Sequence, residues 1–539
     1  MKNTFLLLTL LSFIFQNLMA QDISNIGSGG KLKPLQQNMD IRHYTLVLDV
    51  NIEKEEISGY TEIELDLLKQ ADTLLFDLIS VYKISHVLID KKPQKFTHKD
   101  HQIFITTDKQ LTTGKHLVKI FYEGNPPIAA LPPWEGGFTW AKDKNDNPLV
   151  SINCQWQGAK LFFPCKDHPS DEADKGADLY ITVPNGLTVA GPGLLQNTKK
   201  NKEGKSTWHW KTNYTISNYC IVFNIGKYKV KQRSYTTVEN NKVPIQFYVL
   251  EQDTANADKV LSVIEKNTAI LEKYFGEYPW AKEKIGFAQV PNSGMEHQTM
   301  VTYSGSFKFV SFPNGTYSDE LFHEFGHEWF ANKVTNKDWA HMWIQEGITT
   351  YAEALAMREL GGETAYDSIM IRQRGNIQNQ KPIVADDGMR ISFKDINRDI
   401  YPKGSYLMHT LRYVLDDSVF FPALKSLSTN VKYPYKEFLV TDDVEQHFSN
   451  AAGKSLKPLF DFYLKTTNTI DIDIYKTKPD TYMMHVNNSP MELPVDIVTD
   501  AGTIRTTLST DEENYYEIKS RTQPIIDPRN WYFKKVTYQ

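Results

Sequence analysis

The sequence predicts a multidomain α+β protein with an antiparallel β-domain first, a mostly helical region in the middle and a small β-sandwich last. Apolar and polar side chains alternate with a period of two from about residue 40 to 235, which is typical of strands with one face in the core and one face exposed to solvent. Apolar side chains then recur at helical spacing to about residue 465, and the alternation returns near the carboxy terminus. A chain of 539 residues has room for about three or four such domains.

The first twenty residues have the organisation of a signal peptide. Lys2 supplies a positive charge, Phe5 to Phe15 form an apolar run too short to span a bilayer, and Ala20 is a small residue before Gln21. A buried first helix is the alternative interpretation. Because no later segment reaches about 18 unbroken apolar residues, we expect residues 1–20 to be a signal peptide and the rest to be a soluble protein exported to the periplasm or the extracellular space.

The overall composition is that of a globular protein, with 41% hydrophobic and 23% charged residues. The formal net charge of -5 provides no basic surface for nucleic acid and no polybasic segment for a membrane surface. The three cysteines, Cys154, Cys165 and Cys220, match neither a disulfide framework nor a zinc ribbon. We expect buried free thiols, although export also permits one bridge.

Residues 21–235 are predicted to form the amino-terminal β-domain. Between Thr61 and Leu67 apolar and acidic side chains alternate strictly, which indicates a strand with one face in the core. Turn-forming residues at Ile57-Ser58-Gly59 and Pro184-Asn185-Gly186 are expected to separate strands.

Residues 236–468 are predicted to form the mostly helical domain, and residues 469–539 the β-sandwich. Apolar side chains between residues 255 and 275 form a helical stripe, and Ile285 to Val290 form a short strand. Alternating apolar residues indicate strands in the last segment: Tyr482, Met484, Val486, Val495 and Ile497.

A predicted helix with two histidines four residues apart carries the clearest chemical signal. Side chains at this spacing leave one face of a helix, so His323 and His327 are placed to bind a single zinc ion. Glu324 is placed to take a proton from a water bound to that zinc. We expect Ser318 to cap this helix. The pattern alone also arises by chance in surface helices.

A catalytic zinc site requires a third protein ligand and one open position. Glu346 should lie on the next helix, after a turn that contains Asn336-Lys337-Asp338. Two histidines from one helix and a carboxylate from its neighbour form a three-point site. We therefore expect Glu346 to be the third ligand rather than an ordinary helix acid.

Four separated segments resemble the gluzincin aminopeptidases of the aminopeptidase N and leukotriene hydrolase type, in the order found in that family. The resemblance covers roughly residues 40–465 and implies a thermolysin-like catalytic domain in a zinc-dependent aminopeptidase that acts on peptides with a free amino terminus. The segments are Cys154-Gln155 with Phe163-Pro164-Cys165, Gly294-Met295-Glu296-His297, His323 to Glu353, and Tyr401-Pro402-Lys403-Gly404.

The resemblance implies metal-binding and catalytic roles for five residues. His323, His327 and Glu346 are expected to bind one zinc per chain. Glu324 is expected to act as the general base on the zinc-bound water and then as a proton shuttle. Tyr401 is expected to donate its hydroxyl to the oxyanion and share that charge with the zinc.

The resemblance also implies how the substrate is held. Glu296 is expected to pair with the α-ammonium group, and Gln155 to bind the same group, so that only one residue is released. The main chain at Gly294 and Met295 is expected to hold the peptide in an extended form. Glu353 is either a partner of a zinc-binding histidine or a solvated helix residue.

The chain departs from the family pattern in three places. His297 stands where the family has asparagine, and Pro402 stands where it has an acid. The chain ends soon after the predicted β-sandwich, so it resembles a short form that lacks the helical carboxy-terminal domain. We expect a more open cleft as a result.

Two alternative functions use the same residues. A thermolysin-like endopeptidase has the same three ligands, but a buried Glu296 fits a substrate that brings a cation. A non-catalytic, zinc-stabilised peptide-binding protein would not need Glu324 and Tyr401. The sequence leaves open the preferred first residue, the peptide length and the oligomeric state, and indicates no nucleic acid partner and no membrane span.

Overall fold

The structure is a computed structural model that describes residues 26–386, 388, 390–391, 394–435, 437–509 and 515–539. The predicted signal peptide, residues 1–20, lies outside this range. In the part of the chain that is described, no helix is both long and apolar enough to cross a membrane.

The amino-terminal part of the chain is β-structure, as predicted. From residue 26 onwards it contains one short helix, α1 (Pro34–Gln37), and 3-10 turns at Ala159–Leu161 and Asn218–Cys220. Its strands are β1 (Ser28–Gly29), β2 (Met39–Asn51), β3 (Glu56–Leu67), β4 (Ala71–Asp77), β5 (Lys83–Ile89), β6 (Lys92–Lys99), β7 (Gln102–Leu111), β8 (Gly114–Gly124), β9 (Gly137–Lys142), β10 (Pro148–Asn153), β11 (Ala177–Pro184), β12 (Thr188–Ala190), β13 (Leu194–Lys200), β14 (Lys205–Thr212) and β15 (Asn224–Gly226).

Strands β2 to β15 form two sheets, while β1 pairs with Arg390–Ile391 of the helical region. The larger has ten strands in the order β13-β14-β11-β2-β3-β8-β5-β6-β7-β4, and the smaller has the order β12-β15-β10-β9. The described pairs are antiparallel, as predicted, with the exception of β2 and β11, which run parallel. In β3, Thr61, Ile63, Leu65 and Leu67 are buried while the acids between them are not, which confirms the alternation read from the sequence.

One predicted turn is wrong. Ser58 and Gly59 lie inside β3, and the turn before that strand is formed by residues 52–55. Gly59 has a φ of 150°, and a Cβ there would lie 1.9 Å from the carbonyl oxygen of Val47 on β2. The glycine therefore permits close approach of two strands rather than a chain reversal. The turn predicted at Pro184-Asn185-Gly186 does follow β11.

The middle of the chain is mostly helical. The predicted helix near residues 255–275 and the strand beginning at Ile285 are both confirmed. The strands are β16 (Tyr228–Thr236), β17 (Lys242–Leu250), β18 (Ile285–Gln289), β19 (Val301–Tyr303), β20 (Val310–Phe312), β21 (Gly315–Tyr317) and β22 (Arg390–Ile391). The helices are α2 (Ala257–Phe275), α3 (Asp319–Gly326), α4 (Trp343–Asn376), α5 (Pro402–Thr429), α6 (Thr441–Ala452) and α7 (Lys457–Lys465), with 3-10 turns at Glu251–Asn256, Trp339–His341 and Arg398–Ile400.

A four-stranded sheet, β16-β17-β18-β19, supports these helices. The boundary predicted at residue 235 falls inside β16, which is hydrogen-bonded along its length to β17. Helix α4 is interrupted at Gly362, where φ is 79°, and its second half folds back on the first. The side chain of Gln373 thereby reaches the carbonyl oxygen of Thr350, at 3.1 Å.

The carboxy-terminal segment forms two sheets, in agreement with the predicted sandwich. One has the order β27-β24-β23-β29 and the other β26-β25-β28. Their strands are β23 (Ile470–Lys478), β24 (Thr481–Asn488), β25 (Leu493–Thr499), β26 (Gly502–Leu508), β27 (Tyr515–Lys519), β28 (Ile525–Ile526) and β29 (Lys534–Tyr538).

Candidate metal and substrate site

Three predicted ligands converge between helices α3 and α4. His323 lies on α3, His327 follows the last residue of that helix, and Glu346 lies in the first turn of α4. The two histidine Nε2 atoms are 3.1 Å apart, and each is 3.4 Å from Oε2 of Glu346. Ser318 occupies the N-cap position of α3, but its side chain makes no capping hydrogen bond, so that detail of the prediction is wrong.

The spacing of these atoms fits one small cation. Donors placed tetrahedrally about 2.1 Å from a zinc ion lie about 3.4 Å from one another. Glu346 is buried, and its Oε2 atom has no hydrogen-bond partner within the described structure. A buried carboxylate oxygen without a partner is costly unless a cation binds it. Two imidazoles and one carboxylate are a donor set that suits zinc.

Each histidine is oriented through its other ring nitrogen. Nδ1 of His323 is 2.8 Å from Oε1 of Glu353, and Nδ1 of His327 is 2.9 Å from the carbonyl oxygen of Phe330. If Nδ1 carries the proton in both rings, both Nε2 lone pairs face Glu346. Glu353 therefore lies beside His323 and is not a solvated helix acid.

The electrostatics of this group favour ionised Glu346. Burial opposes its ionisation, but the adjacent His327 and His323 outweigh burial and lower the pKa of its carboxyl to about 2. In His323, burial lowers the pKa, while Glu346 and Glu353 outweigh it and raise the pKa well above the usual range. Glu346 is therefore ionised beside the two imidazoles.

Two glycines bring the helices of the site together. A Cβ built on Gly347 would lie 2.8 Å from Cα of Gly404, and one built on Gly404 would lie 2.9 Å from Cα of Gly347. Gly347 follows Glu346 on α4, and Gly404 lies in the first turn of α5, three residues after Tyr401. Backbone contact at this crossing therefore determines how far Tyr401 stands from the metal ligands.

Tyr401 lies on the cavity wall beside the first histidine. Its ring centroid is 6.0 Å from that of His323, and it lines the same two cavities as Glu324. Burial, with the nearby carboxylates of Glu346, Glu296 and Glu324, raises the pKa of Tyr401 well above its ordinary value. The phenol stays protonated and can donate a hydrogen bond.

Glu324 packs against the loop that carries the next motif. A Cβ on Gly294 would lie 2.8 Å from Cγ of Glu324 and 2.7 Å from the carbonyl oxygen of Thr302, so this position requires glycine. Burial raises the pKa of Glu324 to about 8. The amide of Gly294 already donates to Oε1 of Glu320, at 2.8 Å, so it is occupied rather than free to hold a peptide.

The main chain of Met295 is paired in a similar way. Its carbonyl oxygen accepts a 2.9 Å hydrogen bond from the amide of Thr302 on β19. The Met295 side chain is buried and lines the smaller of the two cavities around the metal ligands.

Glu296 is held by two residues of the amino-terminal part of the chain. Nε2 of Gln155 donates to Oε1 of Glu296 at 2.5 Å, and the Tyr219 hydroxyl donates to the same oxygen at 3.1 Å. Glu296 is buried, and burial raises the pKa of its carboxyl. Gln157, the nearby alternative to Gln155, accepts a hydrogen bond from the amide of Gly136 instead.

Sequence reasoning did not find Tyr219. It lies in a 3-10 turn, 77 residues before Glu296 in the chain, and no motif surrounds it. Gln155 was found only through the family resemblance. Contacts of this kind depend on how the β-structure docks on the helices, which no local pattern encodes.

Two connected cavities open beside the metal ligands. The smaller, about 80 Å³, is lined by Gln155 and Glu296 and by the aromatic side chains of Trp134 and Trp156. The larger, about 600 Å³, is also lined by Tyr401 and by polar residues of α3 and α4. The two share the following residues: Ser293, Gly294, His323, Glu324 and Tyr401.

The two departures from the family motif have different consequences. His297 is fully buried, neither ring nitrogen has a partner among the described residues, and burial lowers its pKa to about 3. It is a neutral core side chain. Pro402 occupies the first turn of α5, where a missing amide proton costs nothing.

Lys403, to which the sequence assigned no role, and the three cysteines are structural. The ammonium of Lys403 donates to Oδ1 of Asn379 and to the carbonyl oxygen of Thr466, so it joins α5 to neighbouring segments. Cys154, Cys165 and Cys220 are buried free thiols, as expected, and burial raises the pKa of each well above the usual range.

Comparison with known proteins identifies the family. The model of the peptidase family M1 domain matches residues 260–463, and that of the peptidase M1 N-terminal domain matches residues 41–220. The chain is similar to aminopeptidase B of Mus musculus, with 26% identity over 345 residues, covering 59% of this chain and 50% of that protein. It is also similar to aminopeptidase N of Lactococcus lactis, with 22% identity over 443 residues, covering 78% of this chain and 50% of that protein. The chain spans about half the length of the curated relatives it matches.

A solved structure shares the fold. It is a mutant of the M1 zinc metallopeptidase of Deinococcus radiodurans bound to a Tyr-Ser-Ala substrate, with a TM-score of 0.66 and 20% identity, covering 80% of this chain and 95% of that one. The two family models together match more than half of the chain, in the order of its β-rich and helical parts. The chain therefore belongs to peptidase family M1.

Proposed function

We propose that this protein is a zinc-dependent aminopeptidase that removes single residues from the free amino terminus of peptides. One observation carries the proposal: the buried carboxylate of Glu296 lines the same small cavity as the three metal ligands. A buried carboxylate facing a substrate cavity suits a ligand that brings a positive charge. The curated relatives, which are named aminopeptidases, support the same activity.

The residues present fit a resident zinc ion held by His323, His327 and Glu346. When bound, zinc would act as a Lewis acid on the scissile carbonyl and make the attacking water more acidic. Glu353 would keep His323 in the tautomer that leaves Nε2 free. Loss of these contacts would lower the affinity for the metal rather than disturb the fold.

The remaining side chains divide the reaction between them. Glu324 takes the proton of the attacking water and delivers it to the leaving amine. Tyr401 donates its hydroxyl to the oxygen that gains negative charge. Glu296 binds the α-ammonium group through a charge-assisted hydrogen bond, with Gln155 beside it. Because the amine is held next to the metal ligands, only the first peptide bond reaches the reacting water.

A comparison of one short peptide with free and acetylated amino termini tests the proposal. The free peptide should lose one residue at a time, as seen by mass spectrometry, and the acetylated peptide should be a poor substrate. Glu324→Gln should retain zinc and lower turnover about 10²–10⁴-fold, and Tyr401→Phe about 10²–10³-fold. Internal cleavage, or equal cleavage of both peptides, would establish an endopeptidase instead.

We also propose a division of the chain that moves one predicted boundary. Because β16 pairs with β17 of the helical domain, the β-domain ends near residue 227, the catalytic domain covers residues 228–468 and the β-sandwich residues 469–539. Limited proteolysis, followed by mapping of the first cleavage sites, tests this division.

Export is proposed from the first twenty residues alone. The support is the order of positive charge, apolar run and small residue before Gln21. Amino-terminal sequencing of protein recovered outside the cytoplasm should begin at Gln21, and an intact amino terminus would contradict the proposal.

A further inference from the structure

The larger cavity contains one arginine in otherwise acidic surroundings. Besides Tyr401, its ionisable lining residues are His323, Arg372 and four acids: Asp319, Glu320, Glu324 and Glu353. Arg372 is the only lysine or arginine among the described residues that line this cavity. Among these lining residues, the guanidinium is the permanent positive charge that would attract an anionic group, and ionised acids would repel it.

The residue next to Arg372 is anchored by hydrogen bonds that do not involve the guanidinium. Gln373, the next residue, donates to the carbonyl oxygen of Thr350 and accepts a 2.6 Å hydrogen bond from the hydroxyl of Ser405. Arg372 itself is exposed to the cavity side and forms no ion pair or hydrogen bond within the described residues. Its donors are therefore available to a ligand.

Two of the four acids are already engaged. Glu320 accepts hydrogen bonds from the amides of Gly294 and Ser304, and Glu353 contacts Nδ1 of His323. Neither carboxylate turns towards Arg372 as a partner in an ion pair. The guanidinium is thus a cation with no ion-pair partner among the described residues, on the wall of the larger cavity.

The position of the larger cavity indicates which part of a substrate would contact Arg372. If the amine binds Glu296 in the smaller cavity, the leaving part of the peptide is directed into the larger one, since the two cavities share His323, Glu324 and Tyr401. Thr350 lies one helical turn, about 6 Å, beyond Glu346, and Gln373 contacts Thr350. Two extended residues span about 7 Å, which is comparable with the distance along the helix from Glu346 to Thr350.

We infer that Arg372 binds a carboxylate of the leaving part of the substrate. If this is the chain-terminal carboxylate, short peptides of two or three residues are the preferred substrates. The inference rests on the proposed aminopeptidase function. The carboxylate has two sources, the chain-terminal carboxylate of a short peptide or an acidic side chain. A guanidinium recognises either through paired N–H donors.

A tripeptide series separates the sources. The free acid should be cleaved with a kcat/KM about ten times that of its carboxy-terminal amide, mainly through a lower KM. For the side-chain source, two amidated tripeptides are compared, one with Asp and one with Asn at the third position. Faster cleavage of the Asp peptide would indicate that Arg372 binds an acidic side chain. Arg372→Gln should abolish the preference for the free acid and leave the amide unchanged. Arg372→Lys should retain part of it.

Lys425→Gln is the matched control, because it removes the same charge from an exposed position on α5 that lines neither cavity. Equal cleavage of acid and amide by the wild type would overturn the inference. So would an equal loss for both substrates in Arg372→Gln, which would indicate a structural role.

Calorimetric binding to the zinc-loaded Glu324→Gln variant keeps this test independent of turnover. The free-acid tripeptide should bind about ten times more tightly than its amide, and the difference should vanish when Arg372→Gln is added. This binding preference with no cleavage by the wild type would reject the aminopeptidase proposal and retain the role of Arg372. Cleavage without the binding preference would retain the aminopeptidase proposal and reject the role of Arg372.

Discussion

The hydroxyl of Tyr219 donates a 3.1 Å hydrogen bond to Oε1 of Glu296, across the junction between the β-rich and helical parts of the chain. Gln155 donates to the same oxygen, and so the other oxygen, Oε2, takes no part in either bond. Tyr219 is itself buried and packs edge-on against Trp339. The carboxylate proposed to bind the substrate amine is thus aimed by residues from outside the helical domain.

Tyr219→Phe should weaken amine binding without unfolding the protein. Losing one hydrogen bond to a charged group costs about 1.5 kcal/mol, so kcat/KM on free-amine peptides should fall about ten-fold, mainly through KM. Cleavage of acetylated peptides should not change. Tyr475→Phe, which removes a hydroxyl from the carboxy-terminal sandwich, is the control. An unchanged KM in Tyr219→Phe would contradict the positioning role.

Gly404→Ala should damage both stability and catalysis, because the added methyl group would meet the backbone of Gly347 at 2.9 Å. Overpacking of this kind costs about 1–3 kcal/mol, and the forced shift moves Tyr401 relative to Glu346. Thermal unfolding and turnover should both fall. Gly375→Ala is the control, since nothing lies within 4 Å of a Cβ there and it is also in a helix. Wild-type activity in Gly404→Ala would show that the crossing is not tight.

Glu353→Gln should lower the affinity for zinc without removing a ligand. Partners that orient a ligating histidine contribute about 10–100-fold to metal affinity, so zinc should be lost at lower chelator concentration than from the wild type. Glu346→Gln should lose zinc more completely, because a ligand itself is changed. Zinc content after dialysis against graded 1,10-phenanthroline measures both. Equal zinc retention by the wild type and Glu353→Gln would refute the orienting role.

Stability should depend on pH through Glu172. This buried residue accepts hydrogen bonds from Thr335 and Thr215, and burial raises its pKa from 4.5 to about 8. The folded state therefore holds a proton that the unfolded state releases between about pH 4.5 and 8, and so the contribution of Glu172 to stability falls as pH rises through that range. Glu172→Gln does not titrate and should not show this loss.

Urea unfolding at pH 5 and pH 8.5 checks this prediction. Between the two pH values the wild type should lose more unfolding free energy than Glu172→Gln. Glu203→Gln, at an exposed position, should follow the wild type. Parallel behaviour of the wild type and Glu172→Gln would show that the carboxyl is already ionised at pH 5 in the folded protein.

The sequence by itself determined the features that depend on neighbours along the chain. The alternation in β3 and the apolar stripe of α2 specify which faces are buried, because each period is a property of one element. His323 and His327 lie on adjacent turns for the same reason, and Glu346 follows at the start of the next helix.

Only the tertiary structure decided the features that join distant segments. Tyr219 meets Glu296 across 77 residues, and Gly347 meets Gly404 at a helix crossing. The segment Ile57-Ser58-Gly59 has the composition of a turn yet lies within β3. Its glycine is required because the backbone of β2 approaches closely at this position. Such contacts result from the packing of whole sheets and helices against one another, and a local pattern constrains only the element in which it occurs.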